Sequence, residues 1–335
     1  MTTETSNGHV EEPRVILSAE GLRKSYGTHQ ALKNLSFTLR AGRVLGFLGP
    51  NGAGKTTSIR ILTTILPPSA GRFVVDGVTS DHPEQIRRRI GVLPEGLGFP
   101  RELTGARYLS YYGQLFGSSS HEARSTAEAL LQEVGLQNRG HSPIGSYSHG
   151  MRQRLGIARA LVNDPAVLFF DEPTLGLDPR GQRELLTMVQ GIARDRGKGV
   201  VLSSHLLAEI EGVCDDVVIM NAGEVVARGT VAEVIGQASH RSGIAMRVRV
   251  PVGEVPAACG LIATLPSVRA ATPDDSTGWI GVELRQLDGA TAADPRLVNA
   301  MLESLIRADT PILGLDAGSG RLEDVFLQLT AEAIR

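Results

Sequence analysis

An α/β fold with a parallel sheet at its centre is predicted by three features of this 335-residue chain. The first is a set of short, wholly apolar runs bounded by turn residues. Ala166-Val167-Leu168-Phe169-Phe170 lies between Asp164-Pro165 and Asp171-Glu172-Pro173, as a strand buried on both faces of a parallel sheet does. Gly199 to Ser203 and Val217 to Met220 repeat the pattern, with a helical segment between them. The second feature is Gly49-Pro50-Asn51-Gly52-Ala53-Gly54-Lys55-Thr56, an ungapped G-x-x-x-x-G-K-[ST]. It stands between the strand-like Val44 to Leu48 and a helix opening at Thr57 to Leu62. The third is a β-α-β-β-α-β alternation beyond Gly236, which suggests a small split-βαβ domain of α+β type.

Taken in order, residues 1–13 are polar, end at Pro13 and are expected to form a disordered tail. Val15-Ile16-Leu17 opens the first strand, and Leu35 to Leu39 alternates as a half-buried antiparallel strand should. An antiparallel β subdomain is therefore expected beside the parallel sheet. Phe73 to Val75 ends in the turn signal Asp76-Gly77, and Ile90 to Leu93 is another short strand. From Leu103 to about Leu161 the pattern is helical, within a helical subdomain expected at about 97–161. Thr104 is its N-cap, and the stripe Tyr108, Leu109, Tyr112, Leu115 and Phe116 is expected in the core. A compositional change at Gly236 to Ser239 separates a main domain, 14–236, from an accessory domain, 241–335. In the latter, Leu322, Val325, Phe326 and Leu329 share one face of a closing helix.

Composition narrows the function classes. A net charge of −2 argues against a dedicated nucleic-acid binder, which would show a basic excess. Cys214 and Cys259 are far apart and lack metal-ligand spacing, so a disulfide framework is excluded and a reducing cytosol suits the chain. No apolar run approaches the ~18–20 residues that span a bilayer, and Met1 to Glu12 is too polar for a signal peptide.

The chemistry begins at the glycine-rich run. Its glycines let backbone amides approach a polyphosphate, and the helix start adds partial positive charge. Lys55 reaches toward phosphate and the Thr56 hydroxyl suits Mg²⁺. Asp171, directly after an apolar strand, can hold Mg²⁺ through water, and Glu172 beside it can polarise an attacking water. Ser148-His149-Gly150-Met151-Arg152-Gln153 opens a further helix. Ser148 fits two readings equally there, a plain N-cap or part of an anion site. Of the histidines, His205 stands at a strand end, directly after Ser203-Ser204. His9, His29, His82, His121, His141 and His240 have no such context and are expected to be solvated.

Tyr26, Gly49 to Thr57, Ser148 to Gln153, Asp171-Glu172, Leu175-Gly176-Leu177-Asp178 and His205 together resemble the nucleotide-binding subunit of an ATP-binding cassette (ABC) transporter. The resemblance covers about residues 15–235 and implies a P-loop NTPase core of the ABC ATPase type. Two copies would sandwich two ATP molecules with Mg²⁺. Tyr26 would stack on adenine, and Gly49, Pro50, Asn51, Gly52, Ala53, Gly54, Lys55, Thr56 and Thr57 would hold the phosphates. Ser148, Gly150, Met151 and Asp178 would complete the partner's site, with Asp178 bridging the subunits. Glu172 would be the general base, and His205 would contact the γ-phosphate. Thr56, Asp171 and Glu95 would face the metal, with Glu95 where the family has glutamine.

The signature also departs from Leu-Ser-Gly-Gly-Gln, reading Tyr147-Ser148-His149-Gly150-Met151. Both variants are similar to the drug-resistance and sodium-extrusion exporter ATPases. The resemblance implies a cytoplasmic ATPase, peripheral on the inner face of the cell membrane, that drives efflux through a separate permease. The alternative, an ABC ATPase acting on DNA or ribosomes, would bring long coiled coils, zinc-binding cysteine pairs or a second cassette, and the sequence has none of these.

Overall fold

The computed structural model describes residues 13–242, 246–284 and 295–316, with Leu322 and Phe326 beyond them. The chain divides into two units, Met1–Arg228 and Gly229–Arg335. In the first, β1 (Val15–Tyr26) and β2 (His29–Arg40) form a hairpin, and β3 (Val44–Leu48) runs into α1 (Lys55–Leu62). Then come β4 (Ala70–Val75), β5 (Val78–Thr79), α2 (Pro83–Arg87) and β6 (Ile90–Leu93). Three helices follow: α3 (Gly105–Leu115), α4 (Ser120–Glu133) and α5 (His149–Ala160). The chain returns through β7 (Val167–Asp171), α6 (Pro179–Arg196), β8 (Gly199–Ser204), α7 (Leu207–Val213), β9 (Asp216–Asn221) and β10 (Glu224–Thr230).

These strands make two sheets. One, in the order β2-β1-β4-β5, is antiparallel and carries the expected alternation. The other runs β10-β9-β3-β8-β7-β6, with parallel pairing from β9 through to β6. Every residue of β3, β7 and β8 is buried, so the uniformly apolar runs are strands covered on both faces. Each fully buried Leu or Phe there contributes about 1.5–3 kcal/mol of transfer free energy.

The helices start where the sequence caps them. Thr104 Oγ1 accepts from Arg107 N at 3.3 Å, and Ser119 with Glu122 forms a capping box on α4. The aromatic stripe on α3 is only partly core. Tyr108 and Leu109 are buried, whereas Leu115 and Phe116 are 61% and 48% exposed. Gly113 packs closely on Ala123 of α4, and Leu115 and Phe116 lie beyond that contact, at the last residue and C-cap of α3.

In the second unit α8 (Val231–Ser242) precedes β11 (Met246–Arg249), α9 (Val255–Ala263), β12 (Val268–Asp274), β13 (Trp279–Leu284), α10 (Pro295–Arg307) and β14 (Gly314–Asp316). Its antiparallel sheet has the order β12-β13-β11-β14, a split-βαβ arrangement whose core includes Val248, Ile262, Ile280, Val282 and Leu305. The units part between Arg228 and Gly229, earlier than the compositional change at Gly236 to Ser239. That stretch is helical: Thr230 and Glu233 cap α8 reciprocally, Thr230 N to Glu233 Oε2 at 2.8 Å and Glu233 N to Thr230 Oγ1 at 3.2 Å. Leu322 and Phe326 are helical and Leu322 is buried, while Val325 and Leu329 lie outside the described residues.

Candidate functional site

The parallel sheet gathers the site, because β3, β8, β7 and β6 are consecutive neighbours in it. Their carboxyl ends lead to Gly49–Thr56, His205, Glu172 and Glu95 respectively. Ligand groups collect at this edge in open α/β sheets. A cavity of about 600 Å³ lies there, lined by Pro50 to Thr57 together with Tyr26, His29, Ala31, Glu95, Glu172, Leu175 and His205.

Two glycines of the loop are required sterically. A Cβ on Gly49 would stand 2.4 Å from Met220 O, and one on Gly54 2.8 Å from Ala31 O. Gly54 also holds φ +105 as the N-cap of α1. Ser58 N bonds back to Gly54 O at 2.9 Å, so the amides of Lys55 to Thr57 are those a helix start leaves to a ligand. Lys55 Nζ donates to Gly49 O at 2.6 Å and to Pro50 O at 3.3 Å, and lies 4.0 Å from Glu172 Oε1. Burial pushes this ammonium below the ordinary lysine range, against the opposing pull of Glu172 and Asp171.

The acidic pair is held by a residue that sequence reasoning did not single out. Ser203 Oγ donates to Asp171 Oδ1 at 2.6 Å and accepts from Glu172 N at 3.0 Å. Asp171 and Ser203 are register partners on β7 and β8. Glu172 has φ +50, a left-handed conformation that costs about 1–3 kcal/mol and persists only where neighbours fix it. Thr56 Oγ1 is 3.4 Å from Asp171 Oδ1, and Glu172 Oε2 is 2.8 Å from His205 Nδ1. The His205 turn is braced in turn: Ser204 Oγ donates to the buried Glu209 Oε2 at 2.6 Å and accepts from Leu206 N at 2.9 Å. Ser203→Ala breaks both contacts of the serine and orphans a buried donor, so kcat for ATP is expected to fall about tenfold or more. Steady-state ATPase kinetics check this, and an unchanged kcat would show that β7 alone aligns the acids.

Tyr26 and His29 face each other across the Gly27 turn between β1 and β2, and Lys24 Nζ lies 5.3 Å from the Tyr26 ring centroid. His29 is exposed, as expected of a solvated group, and also borders the cavity mouth, because its partner in the hairpin is Tyr26. Ser148, Gly150, Met151 and Asp178 are not among the lining residues. Ser148 caps α5, accepting from Met151 N at 3.2 Å, and Asp178 caps α6, accepting from Gly181 N at 3.1 Å. Among the described residues no three of His, Cys, Asp and Glu converge as a self-sufficient metal site.

The sequence profile described as "ABC transporter" matches residues 32–175. The chain is 35% identical to the Nod factor export ATP-binding protein I of Ralstonia nicotianae, over 96% of this chain and 95% of that protein. It is 31% identical to the linearmycin resistance ATP-binding protein LnrL of Bacillus subtilis, over 96% of this chain and 100% of that one. The solved ATP-binding subunit of an ABC transporter superposes with a TM-score of 0.60 at 32% identity, covering 68% of this chain and 94% of the other. With near-complete coverage of such relatives and a cavity built on the phosphate loop, this chain belongs to the ABC transporter ATP-binding family and is an ATPase.

Proposed function

We propose that this chain works as one half of a two-chain ATP sandwich and drives export through a separate membrane-spanning permease. The observation that carries the reading is the separation of two half-sites within one chain. Lys55, Glu172 and His205 border the cavity, whereas Ser148, Gly150, Met151 and Asp178 do not. Ser148 and Asp178 instead stand at the starts of α5 and α6, where a helix end favours an anion brought by a second copy.

In this reading Tyr26 stacks on adenine and Gly49 to Thr57 cradle the phosphates, with Lys55 turning from its own carbonyls to the β- and γ-oxygens. Glu172 takes the proton of the attacking water, and His205 orients that carboxylate and meets the γ-phosphate. Asp178 bridges the two copies. Thr56, Asp171 and Glu95 would hold Mg²⁺. A hydroxyl and two carboxylates are hard oxygen donors, and such sites usually complete the shell with phosphate oxygens and water. When bound, the ion supplies charge neutralisation at the phosphates.

ATP binding closes the pair and hydrolysis reopens it, which shifts the population between two permease states. Export as the direction follows the names of the relatives, which concern Nod factor export and linearmycin resistance. No helix among the described residues is long and apolar enough to cross a membrane, and the spanning path is assigned to another chain. This chain is then peripheral on the inner face of the membrane, with no nucleic-acid partner. The permease would seat between the segment after Glu95 and α3–α4. Affinity purification of the chain from detergent-solubilised host membranes is expected to recover a multi-span protein that stimulates its ATPase. Recovery with ribosomes or DNA, and with no spanning protein, would overturn the assignment.

A further inference from the structure

The loop from Leu175 to Asp178, which joins Glu172 to α6, touches the Ser148–Gly150 turn of the same chain. His149 Nε2 lies 2.8 Å from Leu175 O. A carbonyl oxygen only accepts, so the network places the proton on Nε2 and makes the imidazole the donor. The contact is close on both sides. Gly176 holds φ +77, and a Cβ there would stand 3.3 Å from His149 Nε2. A Cβ on Gly150 would stand 3.5 Å from Leu177 Cδ2.

Leu175 also serves the cavity. It is among the residues lining the cavity, and its N–H donates to Glu172 O at 3.2 Å. One residue therefore borders the chain's own ATP site, bonds the backbone of the acid at φ +50, and is held by a side chain from the turn that would meet the partner's ATP. An acid in the left-handed region keeps its aim only while the surrounding contacts fix it. The His149 bond holds Leu175, whose N–H is one of those contacts.

We propose that His149 is a positioning residue, coupling the Ser148–Gly150 turn to the Glu172–Asp178 loop so that engagement of the partner's nucleotide sets the base of the chain's own site. The inference rests on the two-chain reading. It does not require His149 to touch ATP. A movement of the turn reaches Leu175 O through the imidazole, and Glu172 through the Leu175 N–H.

The test uses the full chain and three variants. His149→Ala removes the donor. His149→Gln restores an N–H at the same number of bonds from Cβ, and His149→Asn falls one bond short. Loss of one neutral hydrogen bond at this position is expected to lower kcat about tenfold. Because the phosphate cradle is untouched, KM for ATP should stay within about twofold. His149→Gln should recover most of the rate and His149→Asn should not. A wild-type kcat in His149→Ala, or a glutamine variant no faster than the asparagine one, would overturn the proposal.

A second measurement separates the inference from the reading beneath it. Glu172→Gln and Glu172→Gln/His149→Ala are each tested for an ATP-dependent dimer by size exclusion with light scattering. Both should close, since Ser148 and Gly150 remain. Closure lost only in the double variant would mean that His149 acts on association, and the positioning role falls. Closure absent in Glu172→Gln itself would sink the two-chain reading and the inference with it.

Discussion

Glu172→Gln is expected to bind ATP as the wild type does, to accumulate as a closed dimer, and to hydrolyse about 10²- to 10⁴-fold more slowly, the usual contribution of a positioned general base. The expectation follows from how the carboxylate is held. Oε2 is 2.8 Å from His205 Nδ1 and Oε1 is 4.0 Å from Lys55 Nζ. A glutamine has the same shape, and its carbonyl oxygen can still accept from an imidazole N–H. The backbone contact from Glu172 N to Ser203 Oγ does not depend on the side chain. What is lost is the capacity to take a proton. Single-turnover hydrolysis with pre-bound ATP isolates that step from binding and release. A rate within about twofold of wild type would place the base elsewhere and leave Glu172 as a structural partner of His205.

How far the site was readable from sequence depended on whether its parts are contiguous. Gly49 to Thr56 and Asp171-Glu172 each lie in one short segment, so residue types and flanking hydrophobicity point to them directly. Ser203 is different. Its role arises because β8 lies between β3 and β7, which places it opposite Asp171. Strand order is a tertiary property, and an apolar run ending in serine does not announce it. The usable hint is positional: Asp171 ends one buried strand, and Ser203 stands next to last in its neighbour in the same sheet.

The place of His29 at the cavity mouth is hidden from the sequence for a related reason. It sits in a polar stretch, and only the hairpin turn at Gly27 sets it across from Tyr26. On α3 the helical period correctly put Tyr108 and Leu109 inside. It did not say where the helix loses its neighbour, and Leu115 and Phe116 lie past that point. The division between the units shows propensity overridden by context. Gly236 and Ser239 look like a linker, yet the Thr230–Glu233 cap starts a helix that carries through them. The β-α-β-β-α-β order of the second unit was readable because each element is short, periodic and separated by turn residues.

The other large effect belongs to Lys55→Ala, which is expected to weaken ATP binding about ten- to a hundredfold, the loss of a charge-assisted contact, and to bring hydrolysis to background. Lys55 occupies a buried position between its own loop carbonyls and two acids. With the ammonium gone, Asp171 and Glu172 face the incoming polyphosphate without a cation between them, and like charges at short range oppose binding. The same burial predicts an asymmetry in stability. The folded-state pKa of Lys55 is lowered, so at neutral pH its charge is less favourable folded than unfolded, and in the alanine variant relief of that cost offsets the lost attraction of Glu172 and Asp171. The nucleotide-free variant should therefore keep its melting temperature, while the rise that ATP gives the wild type disappears, since only a ligand that binds the native state stabilises it. Lys55→Arg should not rescue, because a planar guanidinium cannot take the place of a compact ammonium 2.6 Å from Gly49 O. Thermal melts with and without ATP, beside equilibrium binding of a fluorescent ATP analogue, decide the matter. A Lys55→Ala protein that still gains full thermal protection from ATP would show that the cradle holds phosphate through its backbone amides alone.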